Sequence, residues 1–204
     1  MSREALLRAF LQRAGWGDAE RGRLAGDASF RHYDRLRLGS RSAVLMDAPP
    51  PQEDVRPFLA VDRILRDLSL SAPEVLAEDV ANGFLLLEDF GDGTYTRLLA
   101  EGEDERGLYA RAIDVLIHLH RTFRGGALPP YDETRLLTEA ALLVDWYLPA
   151  ITRRPVDPAL REEYLATWRS VLPLAGGAPD TLVLRDFHVD NLVLLPGRAG
   201  VGAV

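Results

Sequence analysis

The chain has 204 residues, a net charge of −7, and arginine for every one of its 24 basic residues, which excludes a dedicated nucleic-acid surface and any chemistry that needs a lysine amine. It has no cysteine, so disulfides and thiolate metal sites are excluded, and an apolar fraction of 47% excludes wholesale disorder. No apolar run approaches the roughly 18–20 residues that cross a bilayer, and the charged start Met-Ser-Arg-Glu is unlike a signal peptide, so a cytoplasmic, membrane-free protein is expected.

Ser2 caps a predicted helix whose apolar face is Leu6, Leu7, Phe10, Leu11 and Ala14, ending at Gly15. From Leu24 to Ser40 small residues come first and alternation follows. Tyr33, Leu36 and Leu38 with Val44 and Met46 predict two strands joined at Gly39-Ser40. Pro49-Pro50-Pro51 breaks the chain, and Val55, Phe58, Leu59, Val61, Ile64, Leu65 and Leu68 then recur at helical spacing. Asn82-Gly83 lies between the apolar runs Val75-Leu-Ala-Glu and Phe84-Leu-Leu-Leu-Glu and predicts a hairpin, since both residues tolerate positive φ. The acidic stretch Glu88-Asp-Phe-Gly-Asp-Gly marks a boundary. Beyond it Leu108, Ala112, Val115, Leu116 and Leu119 predict one helix, and Leu136 to Tyr147 predict another, stopped by Pro149. Asp157-Pro158 opens a third through about Leu172. Leu182-Val-Leu and Leu192-Val-Leu-Leu predict two short strands around a polar loop. The order predicts an α+β protein with a strand-rich lobe, residues 1–90, and a helical lobe, residues 91–204.

The polar loop carries the chemistry. Leu184-Arg-Asp-Phe-His-Val-Asp-Asn sets Asp186 and Asn191 five residues apart between apolar flanks. Phosphoryl transfer asks a protein for positioning and charge neutralisation: a carboxylate for the attacking hydroxyl's proton, and an oxygen ligand for magnesium. Asp and Asn at this spacing match a kinase catalytic loop, while a plain polar turn is the competing reading.

The loop resembles that of aminoglycoside-phosphotransferase-type kinases. Gly26-Asp-Ala-Ser-Phe-Arg-His-Tyr, Val44-Leu-Met-Asp-Ala-Pro-Pro and Asp145-Trp-Tyr-Leu-Pro resemble one branch, the anomeric kinases for N-acetylmuramate and N-acetylglucosamine of cell-wall recycling. The resemblance implies a protein-kinase-like bilobal fold, ATP and Mg2+ as cofactors, and a small-molecule partner, most simply an amino sugar. It implies Asp186 as catalytic base, His188 as a loop histidine orienting Asp186 or substrate, and Asn191 as metal ligand. Gly26, Asp27, Ala28, Ser29 and Phe30 would form the turn over the nucleotide phosphates, and Leu87, Glu88, Asp89 and Phe90 the hinge against adenine. Aminoglycoside or choline-type substrates, and a non-catalytic nucleotide-binding pseudokinase, are the alternatives.

Two departures stand out. Met46 occupies the place of the strand lysine that holds the α- and β-phosphates in this family, and Arg31, Arg35 or a backbone amide are the candidate replacements. The family's second magnesium acid, in an Asp-Phe-Gly-like segment, falls beyond Val204. The chain is therefore expected to be C-terminally truncated, its helical lobe incomplete, and to turn over poorly.

Other candidates are weaker. His118 and His120 are i, i+2 on a helix, the wrong spacing for two metal ligands on one face, and suit a helix end. Trp146 and Tyr147 read as core or lobe-packing residues with sugar stacking as the alternative. Asp62 and Glu53 are candidates for the helix acid, without a lysine to pair. Neither Gly-x-Gly-x-x-Gly nor a P-loop occurs.

Overall fold

A computed structural model describes residues 1–24, 30–126, 128–176, 180–198 and 201–203. The first unit of the fold centres on an antiparallel sheet formed by β1 (Glu20–Arg23), β2 (His32–Leu38), β3 (Arg41–Asp47), β4 (Val75–Asp79) and β5 (Phe84–Glu88). Its spatial order is β1-β2-β3-β5-β4.

Strand alternation sorts the sheet's two faces. Ala43 and Leu45 of β3, with Phe84 and Leu86 of β5, meet Leu7, Phe10 and Leu11 of helix α1 (Arg3–Arg13). Val44 and Met46, with Leu85 and Leu87, face the other way, toward Val55, Phe58 and Leu59 at the start of helix α2 (Arg56–Asp67). Both faces of β5 are covered, which is why its sequence is apolar without alternation. Each of its fully buried side chains contributes about 1.5–3 kcal/mol.

Glu88 leads from β5 into a short acidic connection, then into α3 (Tyr95–Ala100) and α4 (Glu105–Thr122). Thr94 caps α3 by accepting from the Arg97 N–H. Tyr95, Leu108, Ala112 and Val115 form a core with Leu192 of β6 (Leu192–Leu194), which pairs with β7 (Val201–Ala203). The His118 ring bonds to the Leu68 carbonyl at 2.7 Å and ties α4 to the end of α2.

By compactness the chain divides into Met1–Thr122 with Leu184–Val204, and Phe123–Val183.

The second unit holds α5 (Glu133–Leu142), α6 (Leu148–Thr152) and α7 (Pro158–Val171). Two expectations are corrected here. Pro149 does not stop the helix: Leu143–Tyr147 widen into a π-turn, the Leu148 N–H reaches back to the Leu143 carbonyl, and Pro149 falls in the first turn of α6, where a missing N–H is tolerated. Trp146 and Tyr147 are not core residues but are 73% and 57% exposed. Asp145 instead anchors this turn to α7 through Arg161 at 2.7 Å. Residues 182–184 join no ladder, so the strand predicted there is absent among the described residues. No helix among the described residues is long and apolar enough to cross a membrane.

Candidate functional site

A cavity of about 930 Å³ lies within the first unit. Its upper wall is the sheet face carrying Tyr33, Arg35, Val44 and Leu87, its rear wall is α2 with Phe58, Asp62 and Leu65, and its floor is the loop before β6.

The loop is built by alternation. Phe187 and Val189 turn into the α3–α4 core, while Asp186, His188 and Asp190 between them stay exposed. Backbone bonds tighten it: Asp186 N–H to the Leu184 carbonyl at 2.7 Å, His188 N–H to Asp186 at 3.1 Å, and Asn191 N–H to His188 at 2.9 Å. Arg185, just before the acid, sits at φ 57°, a left-handed conformation that costs a non-glycine residue on the order of 1–2 kcal/mol and turns the chain sharply. The Asn191 amide donates to the Asp186 carbonyl at 3.0 Å and closes the turn.

Asp186 and Asn191 line one cavity together with Leu87, Glu88, Asp89 and Phe90. Gly26, Asp27, Ala28 and Ser29 lie outside the described residues. Phe30 is 64% exposed and is not part of the cavity wall. His188 is directed to Asp190, 3.5 Å away, and to the Asn191 amide at 3.4 Å, rather than to the Asp186 carboxylate. Asp190 also lines the cavity and accepts from the Thr96 hydroxyl; sequence reasoning passed over it, although its place beside Asn191 was a signal.

The electrostatics are acidic with local compensation. Arg35 straps the hinge, donating to Asp92 at 2.6 Å, to Asp89 at 3.0 Å and to the Gly91 carbonyl at 3.0 Å. Its hydrogen bond holds the Asp92 carboxyl below the usual carboxylate range. Arg31 pairs with Glu53 at 2.8 Å, so although burial works against its charge, Glu53 and Tyr33 outweigh that and its pKa stands above the ordinary value. Asp62 is 7% exposed, and its Oδ1 has no hydrogen-bond partner. Burial pushes its carboxyl up, against the weaker pull of Arg66 and Arg63. Met46, at the place of the missing lysine, is fully buried.

The donors that could hold a metal are all oxygens: the carboxylates of Asp186 and Asp190 and the amide of Asn191. Such a set suits a hard divalent cation that keeps some water and takes its remaining ligands from phosphates. Among the described residues no three His, Cys, Asp or Glu side chains cluster closely enough to bind a metal unaided.

A twisted antiparallel sheet over a cavity floored by an Asp-x-x-x-x-Asn loop defines a protein-kinase-like fold. Solved structures agree: an APH(2″)-IIa complex with streptomycin and ATP superposes with a TM-score of 0.62 at 15% identity, covering 98% of this chain and 68% of that one. A choline/ethanolamine kinase family protein from Mesorhizobium loti gives 0.59 at 20% identity, covering 100% of this chain and 64% of that one. The chain belongs to the phosphotransferase enzyme family (APH), which it matches over residues 21–202. Relatives named N-acetylmuramate/N-acetylglucosamine kinase are 41% identical in Pseudomonas aeruginosa, over 92% of this chain and 56% of the relative, and 36% identical in Caulobacter vibrioides, over 99% and 65%. The chain thus spans between about half and two thirds of the length of these relatives.

Proposed function

We propose that this chain carries the nucleotide-binding and catalytic-loop parts of an ATP-dependent kinase that phosphorylates the anomeric hydroxyl of an N-acetylated amino sugar. The observation that carries the reading is the convergence of Asp186, Asn191 and the hinge on one cavity. The names of the relatives support the amino-sugar class, and the carboxylate-rich loop supports Mg2+.

Residues 1–90 supply the hinge and the sheet wall over the nucleotide, and residues 91–204 supply the loop. The Asp186 carboxylate, exposed on the loop, accepts the proton of the sugar hydroxyl. Asn191, its nitrogen committed to the Asp186 carbonyl, offers its amide oxygen to the metal. Magnesium, when bound, offsets charge on the phosphates during transfer. His188, through Asp190 and Asn191, positions the loop.

The test is γ-labelled ATP offered in separate reactions with N-acetylmuramate, N-acetylglucosamine, an aminoglycoside and choline, with calorimetric binding of a non-hydrolysable ATP analogue in parallel. Magnesium-dependent binding is expected, with slow transfer to the amino sugars that Asp186→Asn lowers by about 100-fold or more. Label moving to the aminoglycoside or choline and not to amino sugars overturns the substrate class. Absence of nucleotide binding overturns the kinase reading.

A further inference from the structure

A nucleotide's phosphates need a fixed cation, and this cavity has no lysine to supply one. Among the described residues six carboxylates line it (Asp62, Glu88, Asp89, Asp92, Asp186, Asp190) against three guanidiniums, those of Arg31, Arg35 and Arg97. Arg35 is committed at the hinge to Asp89, Asp92 and a backbone carbonyl. Arg97 stands on α3 with Glu101, and both side chains are more than half exposed. Arg31 is the third, held by Glu53 and Tyr33.

The register places it. Tyr33 lies opposite Met46, and Arg35 opposite Val44, so the cavity face of β2 runs parallel to the strand position where the amine is lost. From Arg35 at the hinge end to Arg31 at the other is four residues, roughly 13 Å along an extended chain, comparable to the reach of a nucleoside from base to phosphate. A base at the hinge therefore brings its phosphates under Arg31. The Nε of Arg31 is held by Glu53 at 2.8 Å, an acid just ahead of α2, and the two side chains are only 29% and 12% exposed. That contact fixes the plane of the guanidinium before any ligand arrives. Asp62, the acid on α2 itself, meanwhile has an oxygen buried without a partner.

We propose that Arg31, positioned by Glu53, is the phosphate-holding cation of this site: the strand-to-helix ion pair has moved from β3 and mid-α2 to the residue just before β2 and the segment before α2. The assignment rests on the nucleotide reading above. A guanidinium engages two phosphate oxygens through a planar fork, where an ammonium acts as a point charge, so the transposed pair also changes the geometry of contact.

The experiment measures binding of a non-hydrolysable ATP analogue and of adenosine, each with magnesium, to the wild-type chain, Arg31→Gln, Arg31→Lys and Glu53→Gln, with thermal melts to confirm folding. Arg31→Gln should weaken the triphosphate analogue by about 10- to 100-fold and leave adenosine within about twofold; Arg31→Lys should recover part of the loss. Glu53→Gln should show a smaller, triphosphate-selective loss. Equal weakening of both ligands in Arg31→Gln means a purely structural role and overturns the assignment, as does unchanged triphosphate binding. A wild-type chain that binds neither ligand overturns the kinase reading itself, and this assignment with it.

Discussion

The Asn191 side-chain nitrogen donates to the main-chain carbonyl of Asp186 at 3.0 Å, so the amide closes the loop at a residue that lines the cavity. Replacing Asn191 with alanine removes the closure and, on the proposed function, the metal ligand at once. Magnesium-dependent binding of an ATP analogue should fall by about tenfold or more, while adenosine binding, which depends on the hinge, should hold. Isothermal calorimetry with and without magnesium separates the two. Equal magnesium dependence in variant and wild type would show that Asn191 holds no metal.

Asp62 gives a pH prediction. Its folded pKa is raised by burial, so the native state keeps the proton at pH values where the unfolded chain has released it. Stability is therefore fullest below the ordinary Asp range and declines as pH rises through the raised value. Asp62→Asn should flatten that slope and leave the protein about 1 kcal/mol more stable than wild type at pH 8. Urea melts from pH 4 to 8 check it, and an unchanged slope refutes it.

Gly83 sits at φ +70°, and a Cβ there would lie 1.9 Å from the Ala48 carbonyl oxygen. The Ala48 N–H donates to the Gly83 carbonyl at 2.9 Å, so the two backbones cannot separate without breaking a bond at the β3 and β5 ends. Gly83→Ala should cost about 3 kcal/mol or more, seen as a collapsed denaturation midpoint. A melt within 1 °C of wild type contradicts this account.

Arg153 ends α6 in the left-handed region at φ 55°, with its N–H on the Pro149 carbonyl. Glycine adopts that conformation without a Cβ penalty, so Arg153→Gly should stabilise by about 1 kcal/mol and raise Tm by about 2–4 °C. A lower Tm would assign the side chain a role its exposed position does not suggest.

Contiguous signals were legible in the sequence. The Asp186–Asn191 loop, the amphipathic faces of α1 and α2 and the Asn82-Gly83 turn each place chemistry and geometry within a few neighbouring residues. What stayed hidden depends on partners distant in sequence. β1, Glu-Arg-Gly-Arg, is polar and exposed along its whole length and has no periodic signal; it is a strand because β2 offers it a ladder and Asp34 pairs with Arg21 at 2.8 Å. α3 is one short turn-and-a-half, recognisable only once the Thr94 cap and the burial of Tyr95 are known. The π-turn before Pro149 depends on hydrogen bonding that residue types do not announce. Which arginines line the cavity depends on the packing of the sheet against α2, which no local pattern reveals.

Met46 has one more consequence. Probes that tag nucleotide-using proteins do so by delivering an acyl group to a side-chain amine next to the triphosphate, and on β3 of this chain they meet a buried thioether instead. With neither lysine nor cysteine among its 204 residues, this chain offers no side-chain target to amine- or thiol-directed labelling.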